Sequence, residues 1–127
     1  MKPFLIIFLF IPSFFSFSQE RKIIDKTYDN GSPSFVYFLN GNNEKTKEIS
    51  YFPNGKIDYE GNLKNGKEHG KWIYYYEDGQ KKFEENYKNG LEDGKQYEWE
   101  PDGQLTKLEI YKEGKLQKTL TGKAAEK

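Results

Sequence analysis

The sequence predicts an all-β protein: an elongated, twisted antiparallel meander of repeated β-hairpins, about 24 residues to the repeat, forming a single-layer or solenoid-like sheet. Three observations predict it. First, Asn30-Gly31, Asn54-Gly55, Asp78-Gly79 and Asp102-Gly103 stand 24 residues apart. Asn65-Gly66, Asn89-Gly90 and Glu113-Gly114 run between them at the same interval, and Asn40-Gly41 falls one residue short. Asn-Gly and Asp-Gly between alternating segments are the strongest short-range hairpin signal, because both central residues of a type I′ turn need positive φ. Second, residues 19–127 hold 16 aromatics against 14 Ile, Leu and Val. That balance favours strands and argues against a deep aliphatic core. Third, no segment between turns shows a helical apolar stripe.

Met1-Lys2 is a short basic start, Phe4–Phe17 is a compact apolar run, and no charge appears from Pro3 to Gln19. With Ser16 and Ser18 ahead of a cut before Gln19, residues 1–18 read as a secretory signal peptide. The apolar run is shorter than the roughly 20 residues that span a bilayer, and it contains Pro12. The expectation is export, to the periplasm or beyond, after cleavage near Ser18-Gln19. The chain has no cysteine, so no lipid-bearing cysteine follows the signal, and the exported protein is expected to be soluble. Near-neutral charge gives no reason to expect nucleic acid or strong binding to an anionic membrane.

Residues 19–121 are then one repeat domain of about four units, and residues 122–127 a disordered tail. Strands are expected over 22–29, 34–39, 45–52, 57–64, 70–77, 80–88, 94–100, 104–112 and 115–120. Gly31, Gly55, Gly66, Gly79, Gly90 and Gly103 serve as turn residues. Period-two alternation divides the faces. Ile49, Tyr51, Ile73, Tyr75, Tyr97 and Trp99 make one face apolar in every copy, and they are the expected structural core. The opposite face reads Ser50 and Phe52, then Trp72, Tyr74 and Tyr76, then Gln96, Glu98 and Glu100. Asp58 and Glu60, matched by Lys82 and Glu84, are expected to point away from Tyr59 and Phe83. Leu108 and Ile110 fall where that polar set should be, as a bulge or an end cap would explain.

The run Gly70-Lys71-Trp72-Ile73-Tyr74-Tyr75-Tyr76-Glu77-Asp78-Gly79, followed by Tyr87-Lys88-Asn89-Gly90 and Gly94, resembles a MORN-type repeat of the bacterial variant class. Weaker copies lie at Tyr51–Gly55 with Leu63–Gly66, and at Tyr97–Trp99 with Asp102-Gly103 and Tyr111–Gly114. The likeness covers about residues 45–117. It implies stacked hairpins serving as an interaction scaffold. The class includes bacterial proteins described as antitoxins, and related repeats elsewhere act in protein assembly or at membranes. The motif tryptophan occurs only at Trp72, with Glu48 and Gln96 in the matching places.

Little suggests chemistry. His69 is the single histidine and there is no cysteine, so a zinc site lacks ligands. His69 reads as a polar turn residue. Glu84 and Glu85 are adjacent on a strand and point to opposite faces, so they cannot converge on one bond. The expectation is a protein that is not an enzyme and has no catalytic residue, metal or cofactor. Phe52, Trp72, Tyr74 and Tyr76 form the sharpest functional candidate, an aromatic patch for a partner. Exposed Trp and Tyr make protein hot spots, although cross-strand rings also stabilise sheets. The partner is expected to be a protein, bound by a scaffold or by an inhibitor of a toxic enzyme. A cell-wall glycan stacked on the rings is the alternative.

Overall fold

In a computed structural model, the structure describes residues 19–125. The signal peptide expected over residues 1–18 lies outside them. The strands are β1 (Arg21–Thr27), β2 (Pro33–Leu39), β3 (Lys45–Tyr51), β4 (Ile57–Lys64), β5 (Lys67–Tyr75), β6 (Lys81–Lys88), β7 (Leu91–Glu92), β8 (Gly94–Trp99), β9 (Leu105–Lys112) and β10 (Lys115–Thr121). They form one antiparallel sheet in the order β1-β2-β3-β4-β5-β6-β8-β9-β10, with β7 also pairing with β6. This is the expected open meander. Of the expected tail, Gly122–Ala124 form a single 3-10 turn, which leaves Ala125 buried.

The two turn series differ, and only the second matches the expected type I′ form, Asn40-Gly41 excepted: there Asn43 takes the positive φ, in a loop closed by Asn40 N–H donating to Glu44 O at 3.0 Å. Lys64 pairs with Lys67, and Lys88 with Leu91, leaving two-residue loops. In those loops Asn65, Gly66, Asn89 and Gly90 all have positive φ, as do Glu113 and Gly114. The other series corrects the expectation: of Asn30-Gly31, Asn54-Gly55, Asp78-Gly79 and Asp102-Gly103, only the glycine has positive φ. Gly55 N–H donates to Phe52 O at 2.9 Å, and Phe52 N–H donates to Lys56 O at 2.8 Å. Asn54 Oδ1 accepts from Lys56 N–H at 2.9 Å. This is a longer loop with a left-handed glycine after an Asx-type turn. The same bonds recur around Asn30, Asp78 and Asp102.

Most strand ends fall within two residues of expectation, with two larger departures. β5 begins at Lys67 rather than residue 70, and β7 was not foreseen. Gly70 and Gly94 have φ of 79° and 106°; Gly70 lies inside β5, whereas Gly94 opens β8 just after the two-residue β7. Pairing resumes directly after each two-residue turn and is then interrupted by the glycine.

One row of neighbouring side chains crosses the sheet through Val36, Ile49, Glu60, Ile73, Glu84, Tyr97 and Leu108. It belongs to the face read as apolar, and the second strands place Glu60 and Glu84 in it. Val36, Glu60, Glu84 and Leu108 are one repeat position, and the two end copies are apolar. Leu108 stays in register with Tyr97 and Leu120, so this is an end cap and not a bulge. The buried apolar residues are Val36, Ile49, Trp72, Leu108 and Ala125. Of the other expected core residues, Tyr51, Ile73, Tyr75, Tyr97 and Trp99 are half-buried. Among the described residues no second layer covers either face.

Carboxylates enter that row without being stranded. Glu60 Oε2 lies 2.8 Å from Lys47 Nζ, and its Oε1 accepts from Tyr75 Oη at 3.0 Å. Glu84, only 7% exposed, is held by Lys71 and by Lys81 at 2.7 Å. Burial pushes the Glu84 carboxyl up, but the hydrogen bonds from Lys71 and Lys81 outweigh it and the net shift is down. A carboxyl with a lowered folded pKa contributes stability above its unfolded pKa, and that contribution is lost as pH falls through the folded value. The unfolded value is near 4.5. Denaturation midpoints should therefore fall as pH drops below about 4.5, and Glu84→Gln should flatten that acid limb. Parallel curves for the two proteins would remove Glu84 from the explanation.

Candidate functional site

The opposite face carries an aromatic row built by register. Phe35, Ser50, Tyr59, Tyr74, Phe83 and Glu98 are successive neighbours across six strands. Tyr59 and Tyr74 pack with centroids 5.7 Å apart, and Tyr74 meets Phe83 edge-on at 6.3 Å. Such cross-strand contacts each stabilise a sheet by roughly 0.2–1 kcal/mol.

Trp72 lies beneath this surface rather than on it. Its neighbour on β4 is Gly61, and the indole occupies the space a side chain would take there. Tyr59 stacks on it at 6.0 Å, Tyr87 meets it edge-on at 6.4 Å, and Nε1–H donates to Asn62 O at 2.9 Å. With 6% exposure, the indole has little area to offer a partner. Of the four residues grouped by sequence, Phe52, Tyr74 and Tyr76 are half-exposed and line one recess of about 300 Å³, together with Asp58, Tyr75, Glu77, Lys82 and Phe83.

Asp58 and Lys82 were expected on the other face. A register shift in each hairpin brings them round: Ser50 pairs with Tyr59 but Tyr51 with Ile57, and Tyr74 pairs with Phe83 but Tyr75 with Lys81. The extra residue at each shift is Asp58 or Lys82, and a bulge re-aims its side chain. Lys82 Nζ sits 5.6 Å from the Tyr76 ring centre and 5.3 Å from that of Phe83. Ser50 Oγ reaches Asp58 Oδ2 at 3.4 Å. Tyr76 Oη donates to Trp99 O at 2.8 Å, fixing that wall to the next repeat.

The tyrosines here stay protonated. Burial, and then the nearby Glu85 carboxylate, push Tyr74 up to about 12. Burial, Glu48 and Asp58 raise Tyr59, and burial with Glu85 raises Tyr87. The face thus presents rings and neutral hydroxyls among carboxylates. That arrangement can stack, donate hydrogen bonds and attract positive charge.

The remaining polar candidates have structural positions. His69 Nδ1 accepts from Asn89 N–H at 3.3 Å. One repeat later Asp93 Oδ2 accepts from Glu113 N–H at 3.1 Å. Histidine and aspartate fill one role, bracing the next two-residue turn. Glu84 and Glu85 neighbour Ile73 and Trp72 respectively, on opposite faces. Among the described residues no group of three or more His, Cys, Asp or Glu is placed to hold a metal ion. None of their helices is long and apolar enough to cross a membrane.

Against known families, residues 46–65, 68–89 and 92–113 match three consecutive copies of a model described as MORN repeat variant, about half of the chain. Comparison with curated proteins and with solved structures finds no match.

Proposed function

Because this chain belongs to the MORN repeat variant family, and so is a repeat scaffold, we propose that it is an exported, non-enzymatic one that binds a partner protein through its aromatic face. The observation that carries this reading is the recess beside Tyr74. It gathers three half-exposed rings, Phe52, Tyr74 and Tyr76, between an acidic and a basic wall. Large aromatics at the centre of a small recess are what binding hot spots are made of. The leader-like residues 1–18 support export, to the periplasm or the exterior.

The test is recovery of a stoichiometric partner from the exported fraction under gentle conditions. Tyr74→Ala should weaken its capture by about 30-fold, the scale of a hot-spot residue, while Lys64→Ala, at an exposed position outside the recess, should leave it nearly unchanged. Equal capture by both variants would remove the recess from the interface. An inhibitor of a toxic enzyme would use the same surface, and rescue of growth on co-expression with its target identifies that case.

A further inference from the structure

The recess beside Tyr74 has a twin. A second hollow of about 360 Å³ is lined by Lys26, Tyr28, Ser34, Phe35, Ser50 and Tyr59. Stepping four of these forward by 24 residues turns Tyr28 into Phe52, Ser34 into Asp58, Ser50 into Tyr74 and Tyr59 into Phe83. All four line the first recess. The two hollows are one structural position in successive repeats, on the same face. They lie two strand spacings apart, roughly 9.5 Å. At the next step Glu98 and Lys107 replace Tyr74 and Phe83 and close an ion pair at 3.0 Å, so the aromatic series stops at two.

A ligand using both hollows must present apolar groups at that interval along a line crossing the strands. An extended strand offers same-side groups every 6.8 Å or so, and doubling that overshoots. An α-helix, about 10–12 Å across, is broad for hollows of this size. A polyproline II helix turns once in three residues of about 3.1 Å each, placing positions i and i+3 on one side about 9.3 Å apart. Aromatic-lined grooves are the usual receptors of such segments. Charge adds a second constraint. Glu48 and Glu85 stand on this face either side of Gly61 and Trp72, and Asp58 lines the first recess; the lysines set against these three carboxylates are Lys82 in the first hollow and Lys26 in the second. Among the described residues no lysine closes an ion pair with any of the three.

We infer that the partner docks through a basic, proline-rich segment in the polyproline II conformation, laid across the strands with prolines at i and i+3 in the two hollows. This rests on the aromatic face being the docking surface. The purified protein is titrated calorimetrically with an arginine-flanked peptide carrying proline at every third position. A second peptide has the same composition with prolines four apart, and the third ligand is a chitin oligosaccharide. The first peptide should bind at least tenfold more tightly than the second. Asp58→Lys should weaken it at least fivefold with an unchanged melting temperature. Equal affinity of the two peptides, no binding of the first, or saturable binding of the oligosaccharide in its place would overturn the inference. If Tyr74→Ala still weakens capture of the native partner while the peptides fail, the docking face survives and only its ligand class is wrong.

Discussion

Gly61→Ala should destabilise the sheet by about 3 kcal/mol, at the upper end of overpacking penalties, read as a shift in denaturation midpoint. A Cβ on Gly61 would lie 2.0, 2.2 and 2.4 Å from three indole carbons of Trp72. The ring cannot easily yield, because Tyr59 stacks on it and Asn62 O holds its N–H. Elsewhere in a strand, alanine is better than glycine by roughly 0.5–1 kcal/mol, since glycine loses more backbone freedom on folding. The same substitution made in a Trp72→Ala background should therefore stabilise. That reversal of sign is the decisive readout, and an equal cost in both backgrounds would show that something other than the indole excludes a side chain.

Trp72→Ala should cost about 3–5 kcal/mol, the range for deleting a buried large aromatic. Trp72 is the largest of the buried apolar side chains, and the others are Val36, Ile49, Leu108 and Ala125. A single-layer sheet has no second layer to collapse into the gap. Trp72→Phe separates the contributions: it keeps a ring against Tyr59 but removes the bond to Asn62, costing about 1 kcal/mol for that bond plus whatever packing the smaller ring forfeits. A loss under 1 kcal/mol for the alanine variant would mean that the indole is not part of the core.

The architecture was legible because the 24-residue interval marks every hairpin but the one at Asn40-Gly41, which is one residue off. Periodicity also placed Tyr74, Phe52 and Tyr76 on one face. Three things were hidden, each for a local reason. Trp72 alternates correctly with its neighbours, but its burial depends on Gly61 eleven residues earlier, and a glycine opposite a tryptophan looks like any other strand glycine. Asp58 and Lys82 were assigned by strict alternation, which a bulge breaks by one residue. Glu60 and Glu84 were expected only as members of a polar set pointing away from Tyr59 and Phe83. Their place in the core row, where Glu84 is buried and Glu60 half-buried, arises only when the second strand of each hairpin is seated beside Ile49 or Ile73, with Lys47 and Lys71 reaching over. The turn dipeptides concealed a similar difference: Asn54-Gly55 and Asn65-Gly66 are the same letters, yet only the second pair places both residues at positive φ.

The strict succession of strands has a mechanical consequence. Apart from the short β7, each strand neighbours only those adjacent to it in the chain. The first and last strands lie at opposite edges, joined to the rest along one side each. Tension applied to the two termini would therefore pull across the ladders rather than along them, parting hydrogen bonds one after another from both edges inward. Resistance would be small and nearly constant, in steps of about one strand, with the largest step at the β4–β5 pair, where Trp72 is seated on Gly61. A force–extension trace with one tall rupture would contradict this. Such a molecule behaves less like a clamp than like a strap, compliant in length and firm only around its central rivet.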